Sequence, residues 1–275
     1  MPWNGSTDPY ERQQAAAIED WKNRPPSVFS NAVGYALKPL AWTFGQVVPP
    51  SAVEGALRGA DWLARQTLFE ERIFRDAGVK NIDDLRTLNL RQLDALGENF
   101  HGWAIGYAVV QGGATGAAGL AGIAVDIPSL LTLTLRTVRG VGACYGYVSD
   151  DDSEQHFVRG IIAAAGANSV AEKTAALLFL RELQVTLLRQ TFKSMAAKAA
   201  EQIVGKEAAI IALRNLARQL GVNLTKRKML QSIPLIGSAV GALTNYTFID
   251  DVAIAARRSY QQRWLGDRYP EIIEG

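Results

Sequence analysis

The sequence predicts an all-α fold: a single multi-helix bundle with tightly packed Gly/Ala-rich central helices. Three observations carry this. Apolar residues recur at helical spacing along nearly the whole chain, and no useful length alternates with period two. Helix-cap signatures stand ahead of apolar runs, at Asp8-Pro9 and at Ser169-Val170-Ala171-Glu172. Gly102 to Val125 carries no charged residue and is richest in Gly, Ala and Thr from Gly112 onward. Each glycine costs a helix about 1 kcal/mol relative to alanine, so this block must be held by neighbours or bend into a short hairpin.

The elements follow in order. Asp8 as N-cap and Pro9 at the first helical position open a helix that runs to about Lys22. Asn23-Arg24-Pro25-Pro26 breaks it. Ser27 to Val48 is more apolar, and Pro49-Pro50 opens a helix carrying Val53, Leu57, Leu63 and Leu68. Gly78 and Asn81 mark a turn, and short helices are expected to carry Leu85, Leu88, Leu93 and Leu96. Asp126 before Ile127-Pro128 reads as the N-cap of a new helix. Asp150-Asp151-Asp152 supplies the next cap, and the Ser169 capping box launches a long helix to about Val204. A further helix ends at Leu220-Gly221, and the last follows Pro234 and continues to Leu265-Gly266. The expected division is an N-terminal helical arm, 1–50, a helical domain, 51–266, and a tail, 267–275.

Composition narrows the function classes. The 275 residues are 48% hydrophobic with a net charge of +2, which gives no whole-chain attraction to nucleic acid. One cysteine, Cys144, excludes an intramolecular disulfide and a thiolate metal cluster. Met1 to Asp20 lacks the apolar run of a secretory signal, so a cytoplasmic location is expected.

Two uncharged runs have the length of a bilayer span: Trp103–Val125, 23 residues, and Met229–Ile249, 21 residues. Six glycines and Gln111 dilute the first; Gln231, Ser232, Pro234 and Asn245 dilute the second. Gly102/Gly106, Gly112/Gly116 and Gly237/Gly241 have the spacing that lets helix backbones approach, in lipid or in a soluble bundle. Gly112, Gly113, Gly116, Gly119, Gly237 and Gly241 are thus candidate membrane-contact or packing positions. Between Arg181 and Lys228, ten basic residues face three acidic ones, a local excess of seven positive charges that includes Lys226, Arg227 and Lys228. Basic residues beside apolar stripes fit an anionic membrane surface; a solvated bundle face is the bland alternative. Nucleic acid is not supported, since the stretch lacks interleaved aromatics and a helix-turn-helix or zinc pattern.

Few residues stand in a pattern that carries chemistry. Glu98-x-x-His101 has the spacing of a di-iron bundle ligand pair but lacks its second pair, so no metal is assigned and His101 reads as an ordinary helix residue. No His-Glu-x-x-His, phosphate-cradling loop, dinucleotide fingerprint or nucleophile elbow is present, so no cofactor is assigned. The remaining candidates are polar anchors. Asp126, should it face a cavity rather than cap a helix, would sit among apolar helices. Of Asp250 and Asp251, one should point outward and the other pair with an arginine.

Two motifs resemble the EcsC family. One is Gly112-Gly-Ala-Thr-Gly-Ala-Ala-Gly-Leu-Ala-Gly-Ile-Ala-Val-Asp126-Ile-Pro128 followed by Cys144-Tyr145-Gly146-Tyr147. The other is Lys228-Met-Leu-Gln-Ser-Ile-Pro234-Leu-Ile-Gly237-Ser-Ala-Val-Gly241-Ala-Leu-Thr-Asn245-Tyr246, running on to Ala255-Ala-Arg-Arg258. The likeness extends from about Ser51 to Leu265. It implies a helical fold and, since the family is named for a protein encoded beside an ABC transporter, a transporter-linked partner. It transfers no catalytic role to Asp126, Tyr145 or Asn245.

The expected function is non-enzymatic: a helical protein peripheral to the cytoplasmic face of the inner membrane, binding anionic lipid or a membrane protein, with the oligomeric state open. Two rivals stand beside it. One is a hydrolase using Asp126 with Asp250 or Asp251 on a hydrophobic substrate. The other is a carrier closing its bundle around an acyl chain, which requires an apolar cavity along the glycine faces.

Overall fold

The computed structural model describes residues 6–26, 59, 70–117, 119–148, 151–167, 169–194 and 237–269. Among them are eight helices and no strand: α1 (Pro9–Asn23), α2 (Glu70–Ala77), α3 (Ile82–Arg86), α4 (Leu90–Ala117), α5 (Gly119–Cys144), α6 (Asp152–Ala165), α7 (Val170–Ser194) and α8 (Gly237–Arg268). The all-α expectation is met. The helix opened by Pro49-Pro50 (residue 59 apart), the end of the Ser169 helix beyond Ser194 and the helix ending at Leu220-Gly221 lie outside the described residues, as do Lys226, Arg227 and Lys228.

Side-chain caps set several starts. Asp8 accepts from the Tyr10 amide at 2.8 Å, Asn81 from the Asp84 amide at 3.0 Å and Asp151 from the Glu154 amide at 2.8 Å. The Ser169 hydroxyl accepts from the Glu172 amide at 3.2 Å, the expected forward half of the capping box. Each bond satisfies a first-turn N–H that the helix cannot pair internally.

Three long helices form the centre. Phe100 of α4 lies against Gly140 of α5, and Gln111 of α4 meets Asp126 of α5, so α4 and α5 run antiparallel. Asp94 meets Gln261 and Gly113 meets Ala242, so α4 and α8 are antiparallel as well. The Gly/Ala block is thus a hairpin, with α4 ending at Ala117 and α5 starting at Gly119. The core between these helices is filled by Leu93, Ala104, Ala108, Leu130, Val138, Val141, Phe248, Val252 and Ala256. On this centre, α6 packs through Phe157 against Tyr260, and Gly160 of α6 lets α7 approach through Leu180. Tyr10 and Gln14 tie α1 to α4 and α8.

Three sequence expectations are corrected. Leu93 and Leu96 lie not on short helices but in the 28-residue α4, where Asp94 between them and Glu98 beyond them find partners across the bundle. Asp126 is not an N-cap, and Pro128 does not open a helix; both lie inside α5. An interior proline costs about 3 kcal/mol, which the packing of α5 against α4 and α8 outweighs. Gly102 and Gly106 meet no backbone: a Cβ at either would touch nothing within 4 Å. Close approaches of side chains occur instead at Gly140, Gly142, Gly146 and Gly160.

Candidate functional site

The sequence-predicted residues gather mainly at the hairpin end of the centre. Gly112 and Gly116 are buried on the last turns of α4, and Gly113 lies opposite Ala242. Gly119 opens α5, while Gly237 and Gly241 lie in the first turns of α8. Asp126 is fully buried, and its Oδ1 accepts from Gln111 Nε2 at 3.3 Å and Asn245 Nδ2 at 3.2 Å. One carboxylate thereby links all three central helices.

Large apolar side chains stand exposed on the same stretches of α4 and α8. Tyr107, Val109 and Val110 precede and flank Gln111; Leu243 and Tyr246 flank Asn245. Val110 is 73% exposed and Leu243 48%. These five exposed residues sit on adjoining segments of α4 and α8.

Asp250 lies further along α8 and pairs not with an arginine but with His101, whose Nε2 is 2.9 Å from its Oδ1. Asp251 is partly buried and its charge acts on Lys173 of α7. Asp126 and Asp250 thus meet different side chains, the first the amides of Gln111 and Asn245 and the second the imidazole of His101. Away from the Gly/Ala block, the Phe100 ring fills the place over Gly140, and the Tyr260 ring that over Gly142.

Tyr145 occupies the opposite end. With a rise of 1.5 Å per residue, Asp94 and Gln111 on α4 are roughly 26 Å apart. The chain leaves α5 through a Schellman turn, with Tyr147 N donating to Gly142 O at 2.9 Å, Gly146 N donating to Ala143 O at 3.0 Å, and Gly146 at φ 86°. Tyr145 and Tyr147 project from this turn and stack on Tyr260 of α8, at centroid distances of 6.4 and 5.5 Å. Each of the three tyrosines donates to its own carboxylate: Tyr145 to Asp94, Tyr147 to Asp267 at 2.6 Å and Tyr260 to Glu154 at 2.8 Å. Asp94 also accepts from Tyr10 at 2.7 Å and Gln261 at 2.7 Å, and Arg263 bonds Glu154 while lying 4.0 Å over the Tyr147 ring. Burial holds the phenols of Tyr145, Tyr147 and Tyr260 well above their ordinary pKa, and the adjacent carboxylates add to it. The arrangement fixes helix positions; every hydroxyl in it is committed to a carboxylate. Among the described residues, no group of three or more His, Cys, Asp and Glu could hold a metal ion.

The chain matches the EcsC protein family over residues 12–265. The chain belongs to the EcsC family. A relative, "Uncharacterized protein YdbA" of Bacillus subtilis (strain 168), is 26% identical over 206 residues, which cover 75% of this chain and 68% of that protein. No solved structure matches the chain.

The EcsC match begins at residue 12, inside α1, and so takes in residues that the two sequence motifs left outside. The first EcsC-like motif supplies the α4–α5 hairpin and the Tyr145-Gly146-Tyr147 turn, and the second runs into α8 from Gly237 onward. Sequence reasoning missed Gln111, Asp94, Glu154, Tyr260 and Gln261. A polar residue at a core position of an amphipathic helix is the signal that was available, and Asp94 between Leu93 and Leu96 shows it.

No helix among the described residues is long and apolar enough to cross a membrane. The run Trp103–Val125 fails because it is shared between two antiparallel helices joined at the hairpin.

Proposed function

We propose that this EcsC-family chain is a non-enzymatic protein that docks peripherally on an anionic membrane surface through the hairpin end of its central helices. The carrying observation is the set of exposed apolar residues, Tyr107, Val109, Val110, Leu243 and Tyr246, on adjoining stretches of α4 and α8. Tyrosine is suited to a headgroup boundary because its ring is apolar and its hydroxyl stays wet. The basic excess over 181–228 supplies attraction to anionic lipid, each Lys or Arg near such a surface contributing about 1 kcal/mol. The buried Asp126–Gln111–Asn245 link keeps the three helices together behind this surface.

Liposome flotation tests the proposal, with neutral and phosphatidylglycerol-containing vesicles at low and high salt. The expected result is flotation on anionic vesicles that weakens as salt screens the charges, and that Val110→Asp and Leu243→Asp reduce at least tenfold. Both positions are exposed, so a change there leaves the fold intact. Absence of flotation at low salt on anionic vesicles overturns the proposal.

A further inference from the structure

Charge is distributed along the three central helices by distance from the hairpin. α4 carries no Asp, Glu, Lys or Arg from Gly102 to its end at Ala117, and α8 carries none from Gly237 to Ile249. α5 carries only Asp126 between Gly119 and Leu135. Gln111 and Asn245 meet on Asp126, and Gly113 lies opposite Ala242, so the exposed Tyr107, Val109 and Val110 of α4 stand level with Leu243 and Tyr246 of α8. These five side chains make one band across both helices. Tyr107 stands ten residues before the end of α4 and Tyr246 nine after the start of α8, which at 1.5 Å per residue is roughly 14–15 Å from the helix ends. Half the hydrocarbon core of a bilayer is about 15 Å deep.

Within that depth the polar side chains turn inward. Asp126 is fully buried and holds the amides of Gln111 and Asn245, and Thr115 donates its hydroxyl to the Gln111 carbonyl at 3.0 Å. A carboxylate at hydrocarbon depth has to face the bundle interior and find polar partners there, and Asp126 does both. Behind the band the chemistry changes. Trp103 lies one turn further back on α4, about 6 Å, and the Arg136 guanidinium of α5 lies 4.7 Å over its ring. A headgroup layer is about 5–8 Å thick, so this first arginine stands at the level of the lipid phosphates when the band stands at the hydrocarbon boundary. Asp250, the first acid of α8, is at the same end paired with His101. Charge is thus enclosed where hydrocarbon would exclude it, and a cation stands where anionic phosphate would attract it.

We propose that the hairpin end enters the acyl region of one leaflet to the level of Tyr107 and Tyr246, with the central helices standing steeply to the membrane plane and Arg136 among the phosphates. The inference rests on the membrane docking proposed above and adds its depth and direction. Tyrosine and tryptophan rings favour the boundary at which this places Tyr107, Tyr246 and Trp103. The uncharged part of α4 is about 24 Å long, short of the roughly 30 Å core, so the end enters the bilayer without crossing it.

Depth-resolved quenching on the full chain tests it. The native Cys144 is 1% exposed and stays out of reach of a thiol label in the folded protein. An environment-sensitive fluorophore is placed at the exposed Ala114 by Ala114→Cys and, as a control far from the hairpin, at the exposed Lys80 by Lys80→Cys. On phosphatidylglycerol vesicles at low salt, the Ala114 label should shift to the blue and be quenched about twofold more by a nitroxide at mid-chain than by one beside the glycerol ester. The Lys80 label should respond to neither. Arg136→Gln should weaken flotation on these vesicles about fivefold, the worth of one basic residue at an anionic surface. Protein that floats while its Ala114 label stays in water overturns insertion and leaves surface docking standing. Quenching of Ala114 that is strongest beside the glycerol ester means helices lying flat and overturns it as well, as does an Arg136→Gln chain that floats unchanged. Protein that does not float overturns both the docking and the insertion.

Discussion

At the scale of single residues, glycines with the same sequence appearance do opposite work. A Cβ on Gly142 would stand 2.6 Å from the Tyr260 ring, which cannot retreat because Tyr145, Tyr147 and Phe157 pack around it and Glu154 holds its hydroxyl. Gly142→Ala should therefore destabilise by about 1–3 kcal/mol through overpacking, more than the roughly 1 kcal/mol that alanine adds in helix propensity. Gly102→Ala meets nothing within 4 Å and should stabilise by up to about 1 kcal/mol. Denaturant midpoints of the two variants check the pair, and a Gly142→Ala as stable as Gly102→Ala would refute the reading. No spacing rule could have told these glycines apart, because the difference lies in a tyrosine more than a hundred residues away. The same holds for Asp250: its acidity is visible in the sequence, but its partner His101 sits on another helix.

At the scale of elements, helix existence was legible and helix continuity was not. α1, with Asp8, Pro9 and the break after Asn23, carries its boundaries in local residues, and so does the start of α7 at Ser169. Pro128 and the glycines of α4 are local signals that tertiary packing overrode, which is why α5 runs on through its proline. The candidate site was legible in part for the same reason. Asp126 and Asn245 were marked as polar residues among apolar ones, but only the antiparallel crossing of α4 with α8 brings Gln111 to them. The docking of α1 was not legible either. It ends on the buried Lys173 of α7, whose ammonium donates to the carbonyls of Trp21 and Arg24 at 2.5 and 2.7 Å and lies 5.0 Å from the Trp21 ring. A cation at a helix C-terminus pairs carbonyls that the helix leaves open. Lys173→Met keeps the stem and removes those bonds, at a cost of about 1.5–3 kcal/mol for hydrogen bonds to a charged group. Hydrogen exchange should then quicken over the last turn of α1 while α8 retains its protection. Unchanged exchange in α1 would show that Tyr10 and Gln14 hold it without Lys173.

At the scale of the whole molecule, the two ends of the central helices are built differently, and pH should expose the difference. The hairpin end is joined by amides on Asp126, whereas the other end depends on protonated phenols facing carboxylates. For Tyr145, Tyr147 and Tyr260, burial first and the neighbouring acids second raise the folded-state pKa above that of the unfolded chain, near 10. A raised folded pKa favours folding fully while pH lies below the unfolded value. That contribution is then lost as pH climbs from about 10 toward the folded values, because the unfolded chain releases protons that the folded one retains. Stability should thus hold through pH 9 and fall steeply above about 10, and at least three of the eight tyrosines should ionise only as the fold opens. Absorbance of tyrosinate at 295 nm, followed beside circular dichroism, gives both curves. Tyr147→Phe, which removes the donor to Asp267 and leaves the ring on Tyr260, should make the alkaline fall shallower. Ionisation of all eight tyrosines near pH 10 with the helices intact would mean that the stacked cluster admits water, and the rigid end of the bundle would have to be sought elsewhere.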